Sequence, residues 1–200
     1  MNPRTIRDIS GIFSCNFKEF EDEIKTLEKI RAHDEYTYLH SLNVARLSVA
    51  LGRRLGVEGE HLIELGWAAL LHDIGKLGVP TDILNKVKKF TPEELSLMQS
   101  HPLEALTEFA KSTPVSLKRL SRLSAAFEHH QRYDLQGYPI VQNKLTLHPF
   151  SRIVAIADTF DAMTTDRIYQ RRVLPDVALK IMAQGFGTVF DPVVLQAFIT

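Results

Sequence analysis

Cysteine is nearly absent from this 200-residue chain: Cys15 is the single thiol, so no intrachain disulfide can form. A spare, unreactive thiol and a reducing compartment, the cytoplasm, are the expectations that follow. Long apolar runs are missing too, none approaching the ~18 residues that a membrane-spanning helix needs. The stretch 1–16 carries Arg4, Arg7 and Asp8 where a signal peptide requires an apolar segment. Neither sign of charge dominates, with 24 basic against 24 acidic side chains, which excludes a broad basic footprint for duplex nucleic acid or an anionic membrane. Internal repeats and low-complexity tracts are lacking, so solenoid and fibrous architectures drop out. What is present, 44% hydrophobic and 24% charged residues, is the composition of a globular protein large enough to bury a core without disulfides or structural metal. A metal found here would therefore serve chemistry.

Helical periodicity accounts for most of the chain. Phe17, Phe20, Ile24, Leu27 and Ile30 predict an amphipathic helix over 17–32, within an N-terminal arm of residues 1–33. That seam spans barely two heptads, and Arg31 stands where its next apolar residue would fall, so the arm is expected to pack on the helical body and to assist a weak homodimer. His40, Val44, Leu47 and Leu51 share a stripe on a helix over 36–55, with Gly56 as its C-terminal cap. The almost wholly apolar run 62–71 predicts a buried helix leading straight into His72-Asp73-Ile74-Gly75-Lys76. Thr91-Pro92-Glu93-Glu94 is a capping box, and Pro102 should stop or kink the helix it opens near His101. A further helix from about Pro114 has a stripe of Leu120, Leu123 and Phe127 ending on His130. Helices over 153–163, 176–182 and from Asp191-Pro192 complete the set, and only 144–147 resembles a strand. The reading is an all-α bundle of about eight helices without a substantial sheet, its main domain covering residues 34–200.

Histidine carries the chemistry, with eight in the chain. One histidine on an apolar helix face is usually a satisfied core residue. His40, His72, Asp73, His101, His129, His130 and Asp158 are different as a set, because each sits at a helix end or on a mostly apolar helix, where unpaired polar groups are costly. Metal ions supply the compensating charge, and imidazoles with carboxylates but no thiolate suit iron, manganese or similar octahedral ions. If Asp73 and one hydroxide bridge two metals, then His40, His72 and Asp158 bring one to five ligands, and His101, His129 and His130 bring the other to five. Each ion keeps an open position. Two metals about 3.5–4 Å apart with adjacent vacancies fit in-line attack on a phosphodiester. Lys76 can place its ammonium on the phosphate or the leaving oxygen. His33, His61 and His148 match no ligand position, and Arg171-Arg172 reads as a wet surface.

Several spaced motifs together resemble the HD-GYP domain family over residues 34–200. They are His72-Asp73 with Lys76, His129-His130 followed by Asp134 and Gly137-Tyr138-Pro139, and Ile156-Ala157-Asp158 through Phe160-Asp161-Ala162 to Asp166-Arg167 and Tyr169. The resemblance implies an HD-superfamily helical fold holding a di-iron or di-manganese centre. It also implies hydrolysis of cyclic di-GMP to linear pGpG or GMP, with Asp73 bridging and Lys76 and Arg167 steadying the phosphate. The Gly137-Tyr138-Pro139 loop is then expected to touch substrate or diguanylate cyclase domains. An exposed Tyr138 used in recognition is the preferred reading, with folding back over the pocket as the alternative. The chain departs from the family pattern at Gln131, where a glutamate is usual, at Leu135, where a glycine is usual, and at Gln170, where a basic residue is frequent. Leucine does not cheaply adopt a positive φ, so the loop is expected to take another path. Glutamine brings no negative charge to the histidine ligands. A third metal would need a glutamate at position 36, which is Tyr36, and the neighbouring Glu35 lies on another helix face. Two alternatives stand beside the enzyme reading: a metal-binding signalling module that acts through contact, and a hydrolase of another cyclic dinucleotide.

Overall fold

The computed structural model describes residues 2–111, 117–143, 146–166 and 172–200. Among them lie eleven α-helices: α1 (Pro3–Ser10), α2 (Glu21–His33), α3 (Glu35–Arg54), α4 (Gly59–Leu70), α5 (Thr81–Leu84), α6 (Pro92–Gln99), α7 (His101–Ala110), α8 (Leu117–Glu128), α9 (Pro149–Thr164), α10 (Pro175–Ala183) and α11 (Pro192–Ile199). Two 3-10 turns, Phe17–Phe20 and Ile74–Gly78, join them. The described residues contain no strand, only the isolated bridges Gln131 to Gly137 and Phe186 to Phe190. The strand-like segment 144–147 falls partly outside the described residues, and Thr146 and Leu147 are irregular.

The count exceeds the expected eight for three local reasons. Helices α1 and α5 are too short to show a period in an 11-residue window. The chain also breaks at Ser100 rather than merely kinking, and Pro102 sits in the first turn of α7, where its missing N–H costs nothing. Elsewhere the end signals operate as read. Thr91 and Glu94 exchange both hydrogen bonds of a capping box. Gly56, at φ +79°, ends α3 in a Schellman motif, with Val57 N–H donating to Gly52 O at 2.8 Å and Gly56 N–H to Arg53 O at 3.0 Å.

The arm belongs to the core. Ile9, Phe13, Phe20, Ile24, Leu27 and Ile30 are all buried, each worth roughly 1.5–3 kcal/mol on transfer from water. Phe20 stacks on Trp67 of α4 with centroids 4.9 Å apart, and Phe13 meets the same indole edge-on at 5.7 Å. The seam is thus spent on its own chain, which removes the surface that motivated a homodimer.

Helix α8 corrects the sequence reading. Its buried face is Arg122, Ala125, Ala126 and, just past its end, His129, whereas Leu120 is 44% exposed. Leu120 and Leu123 line an outer groove with Leu106 and Phe109 of α7. Alanines win the inner face because they let α8 approach α4 closely, and the leucine stripe is left outside.

Candidate metal centre

Five separate elements deliver the seven predicted side chains to one place. His40 comes from the second turn of α3, His72 and Asp73 follow α4, His101 opens α7, His129 and His130 follow α8, and Asp158 lies within α9. Five of the seven are nearly inaccessible, with His72 at 0% and Asp73 and His101 at 1% exposure, while His130 and Asp158 are partly exposed. Their ligand atoms form two groups, His40, His72 and Asp73 in one and His101, His129 and His130 in the other, each with all atoms within 4.8 Å of one another. Asp73 faces both. Its Oδ2 is 3.3 Å from His72 Nε2 and 3.8 Å from His40 Nε2, while its Oδ1 is 3.4 Å from His101 Nε2 and 3.8 Å from His129 Nε2. Asp158 spans the remaining gap, 3.0 Å from His40 Nε2 through Oδ1 and 4.0 Å from His130 Nδ1 through Oδ2.

The far side fixes the tautomer of three of the rings. His72 Nδ1 meets Ala69 O at 2.8 Å, His101 Nδ1 meets Met98 O at 2.7 Å, and His129 Nδ1 meets the carbonyls of Ala125 and Ala126 at 3.1 and 3.0 Å. A carbonyl only accepts, so each Nδ1 must carry the proton and each Nε2 turns a bare lone pair inward. The lone pairs of His101 and His129 then face each other across 3.3 Å. His72 Nε2 and Asp73 Oδ1 are buried without a hydrogen-bond partner. Lone pairs converging in a buried, carboxylate-lined space make an unfavourable arrangement that a cation relieves, so the residues present fit divalent metal ions.

Electrostatics point the same way. Burial pushes His101 down to about 3 and His129 well below the usual histidine range, keeping both neutral and ready to ligate. Burial also opposes charge on His40, but the hydrogen bonds it donates to Asp158 and Asp161 outweigh it and raise its pKa to about 9. For Asp73 burial is overcome by Lys76 and the surrounding histidines, which hold the carboxylate well below its ordinary range. Lys76 Nζ sits 2.6 Å from Asp73 Oδ2.

Beside these groups opens a cavity of about 460 Å³, whose walls include Lys76, Tyr36, Phe90, Met98, Tyr138 and Met163. Tyr138 overturns the preferred sequence reading: it stacks on His130 with centroids 4.6 Å apart instead of standing free. The most exposed hydrophobic side chain of that loop is Ile140, at 90%. Gly137 touches the site through the backbone, since at φ +92° a Cβ there would lie 2.5 Å from His130 O. Leu135 also corrects an expectation, because it takes φ +65° and keeps the path a glycine would take. Gln131 is buried and its amide donates to Pro139 O at 2.5 Å, tying the two ends of the loop. Glu35 pairs with Arg4 and Arg31 at the surface, away from the site. Tyr36 lies parallel to the His40 ring at 6.3 Å. Arg167, Tyr169, Gln170 and Arg171 lie outside the described residues.

Two contributors were not assigned from sequence. Asp161 Oδ2 is 2.6 Å from His40 Nδ1, and its Oδ1 accepts from Thr165 Oγ1 at 2.9 Å, so a carboxylate orients His40 where His72, His101 and His129 use carbonyls. Its signal was the spacing of three from Asp158 on an otherwise apolar helix. Gly75 lies against α7 so closely that a Cβ would come 1.8 Å from His101 O.

A helical fold with a buried His-Asp pair at its centre defines a class, and residues 23–194 match the family model described as HD domain. The chain belongs to the HD domain family. A cyclic di-GMP phosphodiesterase of Pseudomonas aeruginosa is 35% identical over 194 residues, which are 96% of this chain and 45% of that protein. A 3'3'-cGAMP-specific phosphodiesterase of Vibrio cholerae is 37% identical over 163 residues, 82% of this chain and 35% of that protein. This chain therefore spans less than half the length of these two curated relatives. Among solved structures, the HD domain of the Listeria monocytogenes phosphodiesterase PgpH aligns with a TM-score of 0.64 at 17% identity, covering 86% of this chain and 92% of that one. That likeness is one of fold. No helix among the described residues is long and apolar enough to cross a membrane.

Proposed function

We propose that this chain is a metal-dependent phosphodiesterase that opens a cyclic dinucleotide, cyclic di-GMP first among them, to linear pGpG or GMP. The observation that carries the reading is Asp73, buried between two groups of ligand atoms with one carboxylate oxygen turned to each. His40, His72, Asp73 and Asp158 would hold one divalent ion, and His101, His129, His130 and Asp73 the other. Iron or manganese suits these donors, and a bound pair supplies Lewis acidity and a water acidic enough to attack phosphorus at neutral pH. Lys76, at the cavity wall, is placed to meet phosphate charge, with Arg167 as a second cation. Tyr138 closes the wall over His130, and Gly137 allows the backbone beneath it to come close.

Manganese-loaded protein incubated with cyclic di-GMP, with the products separated by chromatography, tests the activity. Linear pGpG or GMP is the expected outcome. No linear product from manganese- or iron-loaded protein under reducing, anaerobic conditions would overturn it, and turnover of another cyclic dinucleotide alone would revise the substrate. Metal analysis tests the ligands: His130→Ala should retain about one ion per chain and Asp73→Ala neither, because the bridge holds the pair.

The second reading is a signalling module that keeps its metals but works through contact, in the cytoplasm. It is favoured by the uncharged Gln131 next to His130. Ile140 offers such a module an apolar contact for a diguanylate cyclase domain, or for a second copy in a weak homodimer. An inert native chain whose Gln131→Glu, Leu135→Gly, Gln170→Arg variant turns over would establish this second reading, and equal activity in both would remove it.

A further inference from the structure

Away from the metal ligands the chain buries a second set of charges. Arg122 of α8 is 4% exposed and grips Glu64 of α4, itself 5% exposed, through Nε and Nη2, each 2.9 Å from one carboxylate oxygen. Its remaining nitrogen, Nη1, contacts Glu23 of α2, and the guanidinium lies over the Phe20 ring at 5.3 Å. Such a triad is a poor device for stability, because taking three charges out of water costs as much as their attraction returns. Its geometric demand is strict, since the planar guanidinium fork accepts a carboxylate in few orientations.

Its position supplies the reason for it. Glu64 and Arg122 each lie roughly two helical turns, about 11 Å, before His72 and His129. The rings of His72 and His129 meet with centroids 5.0 Å apart, so α4 and α8 run in the same direction with the clamp at one end and the ligands at the other. Between the two ends, Ala68 and Ala69 of α4 and Ala125 and Ala126 of α8 are all fully buried. Small side chains at these four positions let helices pack closely and offer little to interlock against axial sliding. A slip of one residue, about 1.5 Å, would separate Asp73 from His129 far beyond the tolerance of a metal site.

We propose that Arg122 is a positioning residue: with Glu64 and Glu23 it pins the register of α4 against α8 and so sets the spacing of the His72-Asp73 and His129-His130 pairs. Glu23 and Phe20 bring the N-terminal arm into the same clamp, which makes the arm part of the device that spaces the ligands. The proposal rests on the metal-centre reading above.

The test replaces the clamp with apolar residues of similar volume, Arg122→Met with Glu64→Leu, and titrates manganese(II) against a competing chelator alongside thermal unfolding of the metal-free chain. A purely structural clamp would move stability and leave the affinity of the folded protein alone. The expected result is the reverse: an unfolding midpoint equal to or above the parent's, with affinity for the ion pair reduced tenfold or more. Affinity within twofold of the parent overturns the proposal. Should the double variant not fold, Arg122→Lys keeps the charge and loses the fork. Reduced affinity with an unchanged circular dichroism spectrum then supports the pin, and unchanged affinity refutes it. A parent chain that binds no manganese would instead defeat the metal-centre reading, which separates the two failures.

Discussion

Replacing Gly75 by alanine adds one methyl group at the tightest point of the molecule, and the structure says what it would meet. The new Cβ would lie 1.8 Å from His101 O, 2.7 Å from Ala105 N and 2.8 Å from His101 C, where ordinary contact is 3.4–4 Å. All three atoms are backbone, so no rotamer change relieves the clash, and the start of α7 must retreat by roughly 1.5 Å. His101 opens that helix and moves with it. Metal–ligand distances tolerate only about 0.2 Å, so a shift several times larger removes His101 from its group. The overpacking itself costs about 1–3 kcal/mol, or an unfolding midpoint lowered by some 2–12 °C at roughly 2–4 °C per kcal/mol for a chain of this size. Elemental analysis should find about one ion per chain where two are expected of the parent. Gly56→Ala is the control, since that glycine has nothing within 4 Å of its Cβ position, and its φ of +79° makes the substitution strained without a packing clash. It should cost about 1 kcal/mol in strain while leaving metal content intact. A Gly75→Ala protein with the parent's midpoint and two ions would refute the packing argument.

Leu135→Gly should relieve a left-handed leucine worth roughly 1–2 kcal/mol against an entropic cost of roughly 0.5–1 kcal/mol, so chemical denaturation should show a gain of up to about 1.5 kcal/mol; a loss would mean that the leucine packs better than its backbone suffers. Asp161→Asn removes the charge that orients His40, and a chelator competition should record metal binding weaker by about 10–100-fold, with unchanged binding counting against the carboxylate–histidine pair. Burial pushes the Cys15 thiol up to about 11, so alkylation of the native protein at pH 8 should run about a hundredfold slower than that of an unfolded control and accelerate as pH rises towards 11. A rate at pH 8 equal to the control's would show Cys15 to be an ordinary exposed thiol.

Much of the helical order was legible because its punctuation is chemical: Thr91 with Glu94, Gly56, Pro102 and Asp191 each mark a boundary through a hydrogen bond made or denied. What periodicity could not show was which side of α8 faces inward. The leucine stripe carries the stronger hydrophobic signal, while the true inner face is two alanines and an arginine, residues that pattern reasoning assigns to the surface. Close helix approach and a buried ion triad made that choice, and both depend on α4, some sixty residues earlier in the chain. Gly75 was illegible for the same reason. Its constraint comes from a helix start that meets it only in the folded chain.

The candidate ligands were readable as residue types, yet the sequence named no ring nitrogen, and for three of the rings the structure shows the local rule that decides it. His72 stands just past α4 and uses the carbonyl of Ala69; His101 stands just past α6 and uses Met98; His129 stands just past α8 and uses Ala125 and Ala126. Each helix ends with carbonyls that have no intrahelical donor, and a histidine one or two residues further on satisfies them through Nδ1–H. The proton is thereby held on the outer nitrogen, and Nε2 is left bare towards the centre. His40 lies inside α3, where the carbonyls are already taken, and it is the ring whose Nδ1 faces a carboxylate, Asp161, instead. The same chain ends that stop α4, α6 and α8 therefore choose the nitrogen that His72, His101 and His129 turn towards the centre.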